Sequence, residues 1–293
     1  MFYDEPKLKT GIILNSGDYP KFAADTVWCG IGSCFSSNLS ALLEQCGLEV
    51  KQNPSGIIYN SCSMLQLITR AAGARYYSEG DFFEHAGLWH SWEHHGSFSR
   101  PDLKEALTNA NKVLEEFRET LKRADAVVLT PSSSVVYCLK SSGDIVANCH
   151  KVNNNLFERK ILSMAENRQY LAATVNKILQ FNANCKIIFT LSPVRHYPGD
   201  LALNSVSKAN LRGALHEVCE EFRENCIYFP AYEILHDELR DYRFYKIDML
   251  HPSEQAVELI CGRFVKLFFT PEALKRMEKE LAKAKFDNHR PIN

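Results

Sequence analysis

Residues 26–47 read TVWCGIGSCFSSNLSALLEQCG, and this stretch decides the fold. TVWCGI (26–31) is a short apolar run rich in β-branched and aromatic residues, the pattern of a buried strand. Phe35, Leu39, Leu42, Leu43 and Cys46 then recur at spacings of three and four, one face of a helix. Gly47 closes that helix as a C′ glycine does. Strand, glycine turn and helix form the first half of a βαβ unit. The alternation repeats along the chain. Further strands are read at Leu48–Gln52, at Ala126–Thr130 after a helix over Asp102–Arg123, at Lys186–Leu191 after a helix around Gln169–Phe181, and at Cys226–Pro230 after a helix over Lys208–Asn225. A last helix runs from Pro252 to Phe268. The pattern predicts an α/β fold, a doubly wound parallel sheet of about five strands in the flavodoxin-like order 2-1-3-4-5. Helices on both faces make it a three-layer α/β/α sandwich.

Two stretches interrupt the alternation in an otherwise single domain spanning 1–293. Residues 57–101 hold a short helix and then an aromatic, histidine-rich loop, FFEHAGLWHSWEHHGSFSRPD. Residues 131–168 contain VVYCLKSSGDIVANCHKVN, whose central Ser-Ser-Gly-Asp reads as a hairpin turn. The segment 271–293 starts as a helix on Leu274, Met277 and Leu281, and ends polar and frayed.

With 34 Lys+Arg against 35 Asp+Glu the formal net charge is −1, which gives no electrostatic reason to expect nucleic acid or an anionic membrane as partner. No apolar run approaches the roughly 18 residues of a transmembrane helix. The first residues lack a basic start followed by an apolar core, so the expectation is a soluble, cytoplasmic protein. The ten cysteines are scattered, with no CxxC pair. That excludes a zinc ribbon or thioredoxin motif and favours buried free thiols.

Ligands of open α/β sheets bind beyond the carboxyl ends of the strands. The first strand is followed by Gly32-Ser33-Cys34-Phe35. The glycine permits a sharp turn, and the serine stands where helical N–H groups begin. A nucleophilic serine needs such donors and a base. Asp248-Met249-Leu250-His251-Pro252 supplies the base. Pro252 suits the first helical position, making His251 the cap, and a spacing of three lets Asp248 hold the histidine Nδ1–H. Alone, a Gly-Ser after a strand is a turn or cap, and a DxxH is a capping pair. Together, at opposite ends of an α/β chain, they point to a serine hydrolase.

The blocks GIGSCFSSNL, NPSGIIYN, VANCHK, TLSPVRH, NSVSKANLR, YFPAYEI and DELRDYRFYKIDMLHPS resemble those of the GSCFA family, over about residues 26 to 265. That family looks like a branch of the SGNH/GDSL hydrolases. The resemblance implies Ser33 as nucleophile, His251 as general base and Asp248 as its orienting acid. It places Gly56 at the glycine of the second oxyanion block. The third block departs from the family, with Ser132 where a glycine is usual in Thr130-Pro131-Ser132-Ser133. Asn148, or the Ser133 hydroxyl or backbone, then supplies the remaining donor, with a turn or strand-end residue as the plainer reading of Asn148. The resemblance implies hydrolysis of a carboxylic ester of a small molecule or carbohydrate, with a short acyl group such as acetyl, and no cofactor. The alternatives are an acyltransferase with the same triad, a thiol hydrolase using Cys34, and a catalytically silent binding module.

Other features weigh less. His90 and His94 stand four apart, a spacing that suits a metal on a helix. Without HExxH, a loop packed over the site is the better reading and no metal is expected. Trp89 and Trp92 are candidates for stacking on substrate. Arg195 and His196, after the fourth strand, suit a substrate carboxylate or hydroxyl, or an ion pair with the acidic segment 236–241. Lys208 reads as an ordinary first-turn helix residue.

Overall fold

The computed structural model describes residues 11–195 and 200–288. Strands β1 (Val27–Gly32), β2 (Glu49–Gln52), β5 (Ala126–Thr130), β9 (Lys186–Phe189) and β10 (Cys226–Tyr228) form one five-stranded sheet, ordered β10-β9-β5-β1-β2. All its pairings are parallel. In sequence order this is 2-1-3-4-5, the predicted topology.

The period-two alternation of the strands divides the core. Trp28, Ala126, Val128 and Ile188 face one side, and Cys29, Ile31, Val127, Leu129, Ile187 and Phe189 face the other. The first face is covered by α1 (Cys34–Gln45), the short α6 (Ala231–Glu233), α7 (Glu254–Phe268) and α8 (Pro271–Asn288). The second is covered by α2 (Ser61–Ala72), α3 (Leu103–Arg123), α4 (Met164–Phe181) and α5 (Leu201–Glu221). Each large side chain sealed between these layers contributes about 1.5–3 kcal/mol. Strands buried on both faces are what their continuous apolar runs demanded.

The stretches between these elements form two smaller sheets. Strands β3 (Phe83–His85) and β4 (Leu88–His90) make a hairpin through Ala86 and Gly87. Both turn residues have φ above zero, 51° and 75°, the requirement of a tight type I′ turn. The sequence predicts a loop here, because Ala-Gly lacks the Asn or Asp that advertises such a turn. Strands β6 (Val135–Leu139), β7 (Ile145–Val146) and β8 (Phe157–Ile161) form an antiparallel sheet ordered β7-β6-β8. The Ser-Ser-Gly-Asp turn joins its first two strands, with Gly143 at φ 80°. Trp92 ties the two stretches together. It stacks on Phe83 at 3.7 Å, meets Phe157 edge-on at 5.6 Å, and its carbonyl accepts the Ala147 N–H at 2.7 Å.

Two helix starts differ from the reading. α5 begins at Leu201, where the Asp200 carboxylate accepts the Leu203 N–H at 2.8 Å. Lys208 therefore stands about two turns inside the helix rather than in its first turn. α7 begins at Glu254, and its N-cap is Ser253, whose hydroxyl accepts the Ala256 N–H. His251 and Pro252 precede that cap, which leaves the histidine in the loop. All ten cysteines are free thiols. Among the described residues no helix is long and apolar enough to cross a membrane.

Candidate active site

The carboxyl edge of the sheet assembles the candidate residues from four loops. β1 ends at Gly32, with φ at 152°. A Cβ there would lie 2.5 Å from the Thr130 carbonyl oxygen of β5, so no other residue fits this turn without moving the backbone. The Gly32 N–H donates to Asn53 Oδ1 at 2.8 Å, and Asn53 Nδ2 donates to Ser37 Oγ at 2.8 Å. Asn53, itself at φ 39°, thus pins the turn to the first helix. Sequence reasoning quoted its segment but gave it no role. Its one local signal is an asparagine at a strand end, a residue that tolerates the left-handed region.

Ser33 occupies the N-cap position of α1, yet its side chain makes no cap hydrogen bond. Asn60, Asp102, Ser163 and Ser253 do cap their helices. The Ser33 hydroxyl instead donates to Ser192 Oγ at 2.8 Å. A cap of this type is worth about 1 kcal/mol, so the hydroxyl forgoes a local stabilisation for a contact 159 residues away.

The turn Asp248–His251 builds the second half. Asp248 Oδ1 accepts the N–H groups of Leu250 and His251 at 2.9 and 3.0 Å. Oδ2 takes the His251 Nδ1–H at 2.7 Å. Met249 between them adopts φ 58°. The two backbone donors, followed by the imidazole, hold the Asp248 carboxyl down to about 2. The carboxylate is therefore ionised throughout the neutral range, and its bond to Nδ1 leaves the His251 Nε2 lone pair free to accept a proton. A further chain of bonds props this turn against the segment after β9. Arg195 N–H donates to the Leu250 carbonyl at 3.0 Å, Tyr245 OH donates to His236 Nδ1 at 2.8 Å, and His236 Nε2–H donates to the Pro193 carbonyl at 3.0 Å. Burial holds His236 down to about 4, so it stays neutral and fixed in that tautomer.

A cleft of about 580 Å³ opens between the two halves, lined among others by Cys34, Phe35, Val194, Asp248 and His251. Ser33 immediately precedes Cys34 and Phe35 of its wall. In this conformation Ser33 bonds to Ser192 and not to His251.

The remaining sequence candidates fall as follows. The Gly56 N–H donates to the Asn53 carbonyl at 2.8 Å. At φ 73°, a Cβ on Gly56 would meet His95 Cβ at 2.5 Å. The Ser33 N–H reaches the Thr130 carbonyl at 3.2 Å, and the Ser133 N–H reaches the Tyr59 carbonyl at 3.4 Å. Ser133 Oγ accepts the Val135 N–H at 3.0 Å. Asn148 Oδ1 accepts the His150 N–H at 2.7 Å, and the residue lines a separate cleft of about 690 Å³ with Tyr59, Tyr137 and Arg159. Trp89 pairs through its backbone with Arg100, and Trp92 is packed between the two smaller sheets. Neither lines the cleft at His251. The Arg195 guanidinium lies over the Tyr245 ring, 5.0 Å from its centroid, and makes no ion pair among the described residues. His196 lies outside the described residues.

His90 and His94 do not share a helix face. His90 Nδ1 meets His150 Nδ1 at 3.1 Å and Ser99 Oγ at 2.6 Å. His94 is buried and stacked on Phe98 at 4.7 Å, and burial pushes its ring down to about 3. Among the described residues no three His, Cys, Asp or Glu side chains are grouped to hold a metal.

Lys208, which the sequence presents as an ordinary first-turn helix residue, also lies beside this site. It is 2% exposed, and its Nζ donates to the Ser192 carbonyl at 2.8 Å and to Ser132 Oγ at 3.4 Å. Lysine is almost never found inside, and nothing in Ser207-Lys208-Ala209 announces the exception.

A search of curated proteins finds no match. The GSCFA family matches residues 28–264, a span that runs from β1 through most of α7 and includes every residue of the site just described. The chain belongs to the GSCFA family.

Proposed function

We propose that the protein is a serine hydrolase that cleaves a carboxylic ester through an acyl-enzyme on Ser33. The observation that carries this reading is the Asp248 Oδ2–His251 Nδ1 bond of 2.7 Å, set in the wall of the cleft that begins one residue after Ser33. In the reaction the Ser33 hydroxyl rotates from Ser192 to His251 Nε2. Such bonds are often unmade before substrate arrives. Nε2 takes the proton as Oγ attacks the ester carbonyl. The tetrahedral adduct collapses, the C–O bond to the alcohol breaks, and His251 returns the proton to the departing alkoxide. Water then repeats the sequence on the acyl-serine. Asp248 keeps the ring in its tautomer and balances the charge of the transient imidazolium.

The family resemblance favours a short acyl group such as acetyl, carried on a carbohydrate or other small alcohol. Activated esters test this. p-Nitrophenyl acetate is expected to turn over faster than its long-chain homologues, with all turnover lost in Ser33→Ala. Equal rates for acetyl and palmitoyl esters would refute the short-acyl part.

A thiol reading has one observation in its favour, since Cys34 lines the cleft alongside His251. It predicts that iodoacetamide on Cys34 abolishes turnover in an otherwise intact protein, whereas the serine reading predicts no more than steric slowing.

A further inference from the structure

Ser192 Oγ lies 2.8 Å from Ser33 Oγ. A serine hydroxyl has two lone pairs and one proton. One lone pair of Ser192 takes the Ser33 O–H, and the other takes the Val194 N–H at 3.3 Å. The Ser192 proton has no acceptor among the described residues. The side chain is fully buried and its backbone is held from both sides. Its N–H donates to the Pro131 carbonyl at 2.9 Å, and its carbonyl accepts from Lys208 Nζ at 2.8 Å.

Lys208 is the costly part of this arrangement. Burial pushes its ammonium down to about 7, and no carboxylate among the described residues pairs with it. Its other neighbours are the Ser132 hydroxyl and the Tyr232 ring, 5.7 Å away. A buried cation without a counter-ion is a stability debit, and such groups gather at sites of chemistry. The backbone amides of Ser33, Gly56 and Ser133 are meanwhile bonded to Thr130, Asn53 and Tyr59. An oxyanion formed on Ser33 therefore needs another donor.

We propose that Ser192 is that donor, a catalytic hydroxyl that switches from accepting the Ser33 proton to donating its own to the oxyanion, and that Lys208 is the residue that positions it. The inference rests on Ser33 being the nucleophile. When Ser33 passes its proton to His251, the Ser192 lone pair is released. The carbonyl oxygen of the adduct is bonded to the same carbon as Ser33 Oγ, within reach of a hydroxyl 2.8 Å from that Oγ. The Ser192 O–H turns to it; no covalent bond to Ser192 is made or broken, and the proton stays on Ser192 throughout. Lys208, through the Ser192 carbonyl, fixes the direction from which that hydroxyl points.

The test is steady-state hydrolysis of p-nitrophenyl acetate together with the rate of fluorophosphonate labelling, for wild type, Ser192→Ala and Lys208→Met. Deletion of one oxyanion donor costs about 100-fold or more in kcat. Ser192→Ala is expected to show a loss of that order in a protein that stays folded by circular dichroism, with KM nearly unchanged and labelling of Ser33 slowed in parallel. Lys208→Met keeps the volume and removes the charge. It should lower kcat by up to about 100-fold, the cost of a group misplaced by about 1 Å, while its thermal midpoint holds or rises. Ser192→Ala turning over and labelling like wild type, with wild type labelled at Ser33, would overturn this inference alone. A Lys208→Met loss that follows a fall in thermal midpoint would overturn the role of Lys208. Wild-type protein that is not labelled at Ser33 would overturn the nucleophile and this inference together.

Discussion

The two halves of the candidate site are built in opposite ways. The Asp248–His251 pair is exposed, with side chains 42% and 39% accessible, and the three hydrogen bonds that orient its carboxylate and ring come from within four consecutive residues. The Ser33 half is buried. Ser33 is 5% exposed, Ser192 0% and Lys208 2%, and with Ser132 they come from four separate segments of the chain. The difference teaches where each half gets its precision. A carboxylate that accepts three hydrogen bonds inside one turn is oriented by local chemistry and tolerates water. A hydroxyl positioned by another hydroxyl 159 residues away is oriented only if the sheet has closed around it.

This contrast can be broken in order of effect. Ser33→Ala removes the proposed nucleophile and is expected to cost on the order of 10^6 in kcat, the size found when a nucleophilic serine is deleted. Circular dichroism and thermal midpoint should not change, because the hydroxyl caps nothing. Retained turnover in a folded variant would end the serine reading. Asp248→Asn acts on the exposed half and is expected to cost about 10^4 in kcat through the wrong histidine tautomer, again with a folded protein. Turnover of wild type should fall on acidification, because a protonated His251 cannot accept the Ser33 proton. Asp248, held at about 2, adds nothing to that limb. An acid limb that vanishes in Asp248→Asn while kcat is kept would contradict the assignment.

The buried half has its own signature in stability. Lys208 titrates at about 7 in the folded state against 10.5 in an ordinary lysine, so between those values the unfolded chain binds one more proton than the folded one. Its contribution to stability therefore rises with pH from about 7 to about 10 and is lost as pH falls back through that window. The groups that face it are the Tyr232 ring and His236, which feels its charge. Urea unfolding at pH 7 and pH 10 should show that Lys208→Met gains most over wild type at the lower pH. A pH-independent difference between the two proteins would mean Lys208 is not desolvated as described. The smallest effect belongs to Cys34→Ala, expected to change turnover no more than a few-fold. A loss comparable to that of Ser33→Ala would move the nucleophile to the thiol.

What the sequence made legible follows the same division. TVWCGI and its helix, the later apolar runs and their order in the sheet are local patterns with strong periodicity, and they predict the layers and the topology. The Asp248–His251 turn was legible for the same reason, since a spacing of three lets the carboxylate reach the ring within one turn. Its cap differs by two residues, Ser253 in place of His251, because Pro252 and Ser253 both carry N-terminal signals. Ser192 was invisible as a partner, since Ser-Pro after a strand looks like any turn. Lys208 was read from its type, and the type argues for solvent. Its burial follows from α5 starting at Leu201, seven residues before the start that its apolar spacing suggested. Asn53 required knowing that the Gly32 N–H faces it.

In the proposed reaction Ser33 carries the acyl group. The most direct measurement is reaction of the intact protein with a fluorophosphonate, followed by proteolysis and mass spectrometry of the modified peptide. A single adduct on Ser33 is expected, forming rapidly in wild type, slowly in Asp248→Asn, and not at all in Ser33→Ala. An adduct on Cys34, or none on a folded protein that also fails to turn over any activated ester, would contradict it.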